Sequence, residues 1–131
     1  MYRTIVVGVT NHDSALRSCR QALELAKAAN ANVHLVCAIE PGTDQTAETT
    51  RRRAEGLVAS LVASSAQSIE VHVEAARAHD AILGVAERVH ADLIVIGNQG
   101  LVRRGRLTSE VPALVLRGAR CSVLTVDAAT T

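Results

Sequence analysis

The sequence predicts one α/β domain over residues 1–131, a five-stranded parallel sheet of order 3-2-1-4-5 with helices on both faces. Three observations lead there. Short β-branched runs alternate along the chain with segments whose apolar residues recur every three or four positions. Two of the runs, residues 5–9 and 93–96, are apolar without alternation, as in strands covered on both faces, so they belong side by side at the centre. The run at 69–75 alternates strictly and the one at 121–126 carries Ser122 and Thr125, which assigns both to the edges.

The elements follow in order. Ile5-Val6-Val7-Gly8-Val9 reads as the first strand, and Thr10-Asn11-His12-Asp13 as a polar turn in which Asp13 or Ser14 caps a helix. Leu16, Cys19, Leu23, Ala26 and Ala29 share one face of that helix, which ends near Asn30. Residues 33–39 form the second strand, stopped by Glu40-Pro41-Gly42. Arg51-Arg52-Arg53 opens the second helix as a solvated face, with Ala54, Leu57, Val58, Leu61 and Val62 turned to the core. Residues 69–75 are the alternating strand, with one face wet. Ile82, Val85, Ala86 and Val89 mark a third helix. Leu93-Ile94-Val95-Ile96 is the fourth strand, ending in Gly97-Asn98-Gln99-Gly100. An arginine-rich loop then runs to Ser109, before a short helix with Val111, Leu114 and Val115 and the final strand. Right-handed crossovers put the topological switch between strands one and four, and ligands bind there, beyond the carboxyl ends.

Composition removes several function classes. Fourteen Lys and Arg against thirteen Asp and Glu give a net charge of +1, and Tyr2 is the sole aromatic residue, so no nucleic-acid surface is expected. Lys27 is the one lysine, and it follows no glycine-rich turn, which excludes a GK[ST] phosphate loop. No apolar run reaches the roughly 18 residues of a membrane helix. The first residues show no signal-peptide hydrophobic region, and Cys19, Cys37 and Cys121 read as reduced core thiols; both features point to the cytoplasm. His12, His34, His72, His79 and His90 share no metal-ligand spacing, so no metal site is expected. Asp13, Asp80 and Asp92 read as caps and loop polars. Val9 and Thr10 stand where a phospho-acceptor domain would carry its acidic pair. No catalytic constellation emerges.

The segments Thr4-Ile5-Val6-Val7-Gly8-Val9, Ala22-Leu23-Glu24-Leu25-Ala26, Ala91-Asp92-Leu93-Ile94-Val95-Ile96-Gly97-Asn98-Gln99-Gly100 and 115–126 resemble, in order and spacing, the universal stress protein family. The resemblance covers nearly the whole chain. It implies a Rossmann-like fold, a cytoplasmic homodimer and a role in surviving stress, with ATP bound by some members and not by others. The ATP-binding pattern is G-x2-G-x9-G-(S/T). Gly97 and Gly100 match its first half, but the second half falls on Glu110 and Val111, or on Ser109 and Glu110 in a shorter register; the third glycine is missing. Thr10 stands where an aspartate contacts the nucleoside. The implied nucleotide site is Val9, Thr10, Ala38, Ile96, Gly97, Gly100, Arg103 and Ser109, with Ala38 and Ile96 flanking an adenine.

Physical chemistry agrees with the mismatch. With Ser109 as N-cap, Glu110 occupies the positive end of the last helix and repels an approaching phosphate. Pro112 removes a donor from the same turn. Arg103, Arg104 and Arg106 offset this only in part. The expected function is therefore a nonenzymatic stress-response protein acting through dimerisation and partner contacts, with ATP binding weak or lost. The alternative is an ATP sensor using a variant glycine loop. An edge strand of Cys121, Ser122, Val123, Leu124, Thr125 and Val126, free of lysine and proline, is the expected dimer seam.

Overall fold

The computed structural model describes residues 1–9, 12–61, 68–98 and 111–127; for residues 12–14, Asn98 and Asp127 it describes the backbone alone. The elements are β1 (Thr4–Val9), α1 (His12–Ala29), β2 (Asn32–Ala38), α2 (Ala47–Leu61), β3 (Ile69–Glu74), α3 (Ala78–Arg88), β4 (Leu93–Asn98), α4 (Val111–Gly118) and β5 (Ser122–Asp127). All strand pairs are parallel, and the order is β3-β2-β1-β4-β5. This is the Rossmann-like arrangement that the patterning predicts.

Burial explains the order. In β1, Ile5, Val6 and Val7 are at most 1% exposed, and in β4, Ile94, Val95 and Ile96 are fully buried. Alternate residues feed two cores. Ile5, Val7, Leu35 and Val95 pack with Cys19, Ala22 and Ala26 of α1 and Ala54 of α2. Val6, Val36, Ile94 and Ile96 pack with Ile82 and Val85 of α3 and Val115 of α4. Helices α1 and α2 thus cover one face, α3 and α4 the other.

Several local expectations change. Helix α1 begins at His12, so Asp13 and Ser14 lie inside its first turn rather than capping it, and His12 is helical rather than a turn residue. Helix α2 begins at Ala47, four residues before Arg51. Thr46 Oγ1 accepts the Thr49 N–H at 3.1 Å and Thr49 Oγ1 accepts the Thr46 N–H at 3.3 Å, a reciprocal cap the arginine run conceals. Strand β3 is half-buried along most of its length instead of wet on one face, because α3 and neighbouring β2 side chains shelter its outward positions; Glu70 alone is exposed. Helix α1 ends where periodicity places it: Asn30 takes φ +57° and the Ala31 N–H reaches back to the Ala26 carbonyl at 2.9 Å. His90 at φ +54° and the Ala91 N–H to the Ala86 carbonyl repeat this stop after α3.

Gly8 sets how closely α3 approaches the sheet. A Cβ there would overlap Ile82 Cδ1 and stand 2.9 Å from Ile82 Cγ1 and 3.1 Å from Ile96 Cγ2. Ile82 is 1% exposed and has nowhere to turn. Gly8→Ala should therefore cost about 1–3 kcal/mol through overpacking. Gly56→Ala, in α2 with nothing within 4 Å of its new methyl, should gain about 0.5–1 kcal/mol. Urea denaturation of both variants tests this; equal midpoints would contradict the close-approach argument.

Cys19 and Cys37 are buried in the core as expected, and Cys121 departs from that expectation. Burial pushes the Cys19 thiol up to about 12, with Cys37 adding to it, and pushes Cys37 up to about 11 against the lowering pull of Arg51. Cys121, raised by burial and then by Asp92, is only half-buried. A thiol-specific colorimetric reagent at pH 8 should find one fast-reacting thiol in the folded protein, abolished by Cys121→Ser, and three in denaturant. Fast labelling of Cys19 would show that the core opens far more readily than its packing implies.

Candidate functional site

The switch point is the seam between β1 and β4, where Gly8 pairs with Ile96 as the last bonded register. From β1 the chain passes into α1 on one face; α4 and α3 occupy the other. Connections that part in this way leave a crevice above the carboxyl ends. Val9 pairs with Cys37, next to Ala38 at the end of β2. Ala38 is half-buried against the α3-side core, and Ile96 lies fully inside that same core. The fold thus brings Val9, Ala38, Ile96 and Gly97 to one end of adjacent strands.

Gly97 belongs to β4, not to the loop after it: it pairs with Val126, and Asn98 with Asp127. The strand runs on because β5 is long enough to pair two residues beyond Ile96. Thr10, Gly100, Arg103 and Ser109 lie outside the described residues, as do Arg104, Arg106 and Glu110. Pro112 is buried at the second position of α4, where a missing N–H costs little.

Asp92 has a structural task at the opposite end. Its carboxylate accepts the Arg3 N–H at 2.9 Å and the Thr4 N–H at 3.1 Å, while its own N–H bonds the Thr4 carbonyl at 3.0 Å. It splices the start of β1 to β4. Asp80 sits 3.4 Å from His79 Nε2 in the first turn of α3. Arg51 donates to the Val71 carbonyl of β3 at 3.3 Å, and Arg52 pairs with Glu48 one turn back in α2 at 2.7 Å. A cavity of about 410 Å³ lies where α3 and α4 end, lined by Leu83, Glu87, His90, Arg120 and Cys121 among others. It opens at the amino ends of β4 and β5 and is separate from the crevice.

One grouping escapes any reading of spacing. His34 and His72 are 38 residues apart, yet His34 Nδ1 and His72 Nε2 meet at 2.9 Å. Glu70 Oε2 is 3.2 Å from the first nitrogen and 3.6 Å from the second. The cause is register: β2 and β3 pair in parallel with His34 opposite Glu70 and Val36 opposite His72, so all three project from one face. Burial pulls the His72 imidazole below its ordinary value, against the raising effect of Glu70; His34 and Arg88 add to the fall, and Glu74 opposes it. The signal was in the sequence only jointly, as polar residues on the same parity of two strands already placed side by side.

Comparison with known proteins agrees with this architecture. The profile of the Universal stress protein family matches residues 1–127. Universal stress protein Rv1636 of Mycobacterium tuberculosis is 31% identical over 144 residues, covering 95% of this chain and 96% of its own length. A universal stress protein solved in complex with cAMP is 34% identical, with a TM-score of 0.79 and 98% of both chains covered. The universal stress protein UspA from Lactobacillus plantarum shares the fold at 19% identity, with a TM-score of 0.77 over 95% of this chain and 97% of that one.

Proposed function

The chain belongs to the universal stress protein family, and from that premise we propose that it is a nonenzymatic, cytoplasmic stress-response protein whose switch-point crevice takes cyclic AMP in preference to ATP. The observation that carries this reading is the cAMP complex of a protein 34% identical over 98% of the chain. The sequence supplies the reason for the preference. A cyclic monophosphate carries far less negative charge than a triphosphate, so Glu110 at the helix start opposes it less. It also needs fewer backbone donors than the incomplete Gly97–Gly100 pattern would have to give ATP. Val9 and Ala38, small and apolar at the strand ends, suit the adenine.

Calorimetry with cAMP, AMP and ATP tests the proposal. Cyclic AMP should bind at least about tenfold more tightly than ATP, whose affinity should be no better than the high-micromolar range, about 5–6 kcal/mol. Replacing Ser109 by Gly and Glu110 by Ser restores the family's pattern and should raise ATP affinity selectively. Submicromolar ATP binding by the unaltered chain would favour the ATP-sensor reading instead.

Assembly is the second part of the proposal: two copies join through antiparallel pairing of their β5 edges. Strand β5 ends the sheet, and Leu124 on it is 36% exposed, with Leu116 of the adjacent α4 at 55%. Residues 121–126 contain no lysine or proline to blunt the edge. The opposite edge, β3, has Arg51 reaching over it to the Val71 carbonyl. Leu124→Lys and Thr125→Pro should each shift the light-scattering mass toward monomer, with the lysine variant retaining its helical circular dichroism. A dimer mass in both would overturn the β5 seam.

A further inference from the structure

We propose that His34, Glu70 and His72 form a binding site for a d-block dication of the zinc class, on the α3 face of β2 and β3 and apart from the nucleotide crevice. The argument begins with separations. His34 Nδ1, His72 Nε2 and Glu70 Oε2 stand 2.9, 3.2 and 3.6 Å from one another. Tetrahedral zinc with bonds of about 2.0–2.1 Å holds neighbouring ligand atoms about 3.3 Å apart. The three distances bracket that value, so each ligand atom needs to move only a few tenths of an ångström. The ring centroids are 5.1 Å apart and the planes inclined at 44°, so the imidazoles are not stacked; one nitrogen of each converges on the carboxylate oxygen.

The frame is rigid. All three residues sit on neighbouring strands in fixed register, and the opposite face of both strands is packed by Leu35 and Val71 against α1 and α2. Little ordering entropy remains to be lost on binding. Access comes through Glu70, whose side chain is 65% exposed, whereas the His34 and His72 side chains are 15% and 16% exposed. The nitrogens thus form the floor of the site and the carboxylate its rim, leaving a fourth ligand position to water, as in three-ligand zinc sites. Local charge favours a cation. Glu70 and Glu74 face the cluster from β3, and the only guanidinium described beside it, Arg88 of α3, is paired with Glu74 at 3.1 Å.

The donor set selects the ion. Two imidazoles and one carboxylate suit zinc, nickel or copper, whereas magnesium and calcium need oxygen-rich shells. Without the ion, the 2.9 Å contact requires one ring nitrogen to hold a proton and the other to accept it. When a metal binds, that proton passes through solvent to the far nitrogen of its own ring, and both contact nitrogens are free to ligate.

Titration of chelator-stripped full-length protein with zinc chloride, followed by calorimetry and by histidine ring resonances, decides the matter. The expected result is one ion per chain with a Kd below roughly 10 μM. The His34 and His72 rings should shift together, and millimolar magnesium should have no effect. His72→Gln should weaken zinc binding at least about 100-fold, and His90→Gln, beyond the end of α3, should leave it unchanged. Failure of zinc to bind would overturn the proposal and leave the cluster a hydrogen-bonded clamp between β2 and β3. So would resonance shifts confined to other histidines, a readout that holds even if the His72 variant fails to fold.

Discussion

Parallel pairing between β1 and β4, two strands whose side chains are withdrawn from water on both faces, is the interaction on which the rest of this molecule depends. A strand buried on both sides must be apolar at every position, and its neighbours must enter and leave through helices that cover both faces. Thus α1 and α2 lie on one side and α3 and α4 on the other. The seam between the central strands then becomes the place where the connections part. Gly8 belongs to the same constraint, because a side chain there would hold α3 away from the sheet.

The two ends of that seam do different work. At the amino end, Asp92 joins the start of β1 to β4 through its carboxylate, which accepts the Arg3 and Thr4 N–H groups, and through its own N–H. At the carboxyl end, Val9, Ala38, Ile96 and Gly97 lie on adjacent strands, and the sequence beyond carries Arg103, Arg104, Arg106 and Glu110. In the function proposed above, electrostatics rather than shape distinguishes the ligands there. An acidic residue at a helix start tolerates a ligand of low charge and resists one of high charge.

The sheet's edges also differ. Strand β3 is sheltered by neighbouring elements and by Arg51, and its inner polar residues meet those of β2 to form the His34, Glu70 and His72 cluster. Strand β5 presents Leu124 with no comparable cover among the described residues. One edge therefore carries a polar cluster, and the other an exposed leucine beside unpaired main-chain groups.

Unbroken apolar runs identified the central strands, strict alternation at 69–75 identified an edge, and helical periodicity closed α1 near Asn30. These signals survive in one dimension because each reflects how a single element meets water. The family resemblance, carried by Ala91 to Gly100 and by the last strand, agreed with the match over residues 1–127. Element boundaries were less legible: the threonine cap of α2 lay hidden before an arginine run, and Gly97 read as loop although pairing with Val126 keeps it in β4. Legible least of all was the meeting of His34 with His72. Spacing along a chain reports contacts within one element, whereas this contact comes from the parallel register of two strands joined through a helix. Only the tertiary structure, by setting His34 opposite Glu70 and Val36 opposite His72, brings two imidazoles and a carboxylate within reach of one ion.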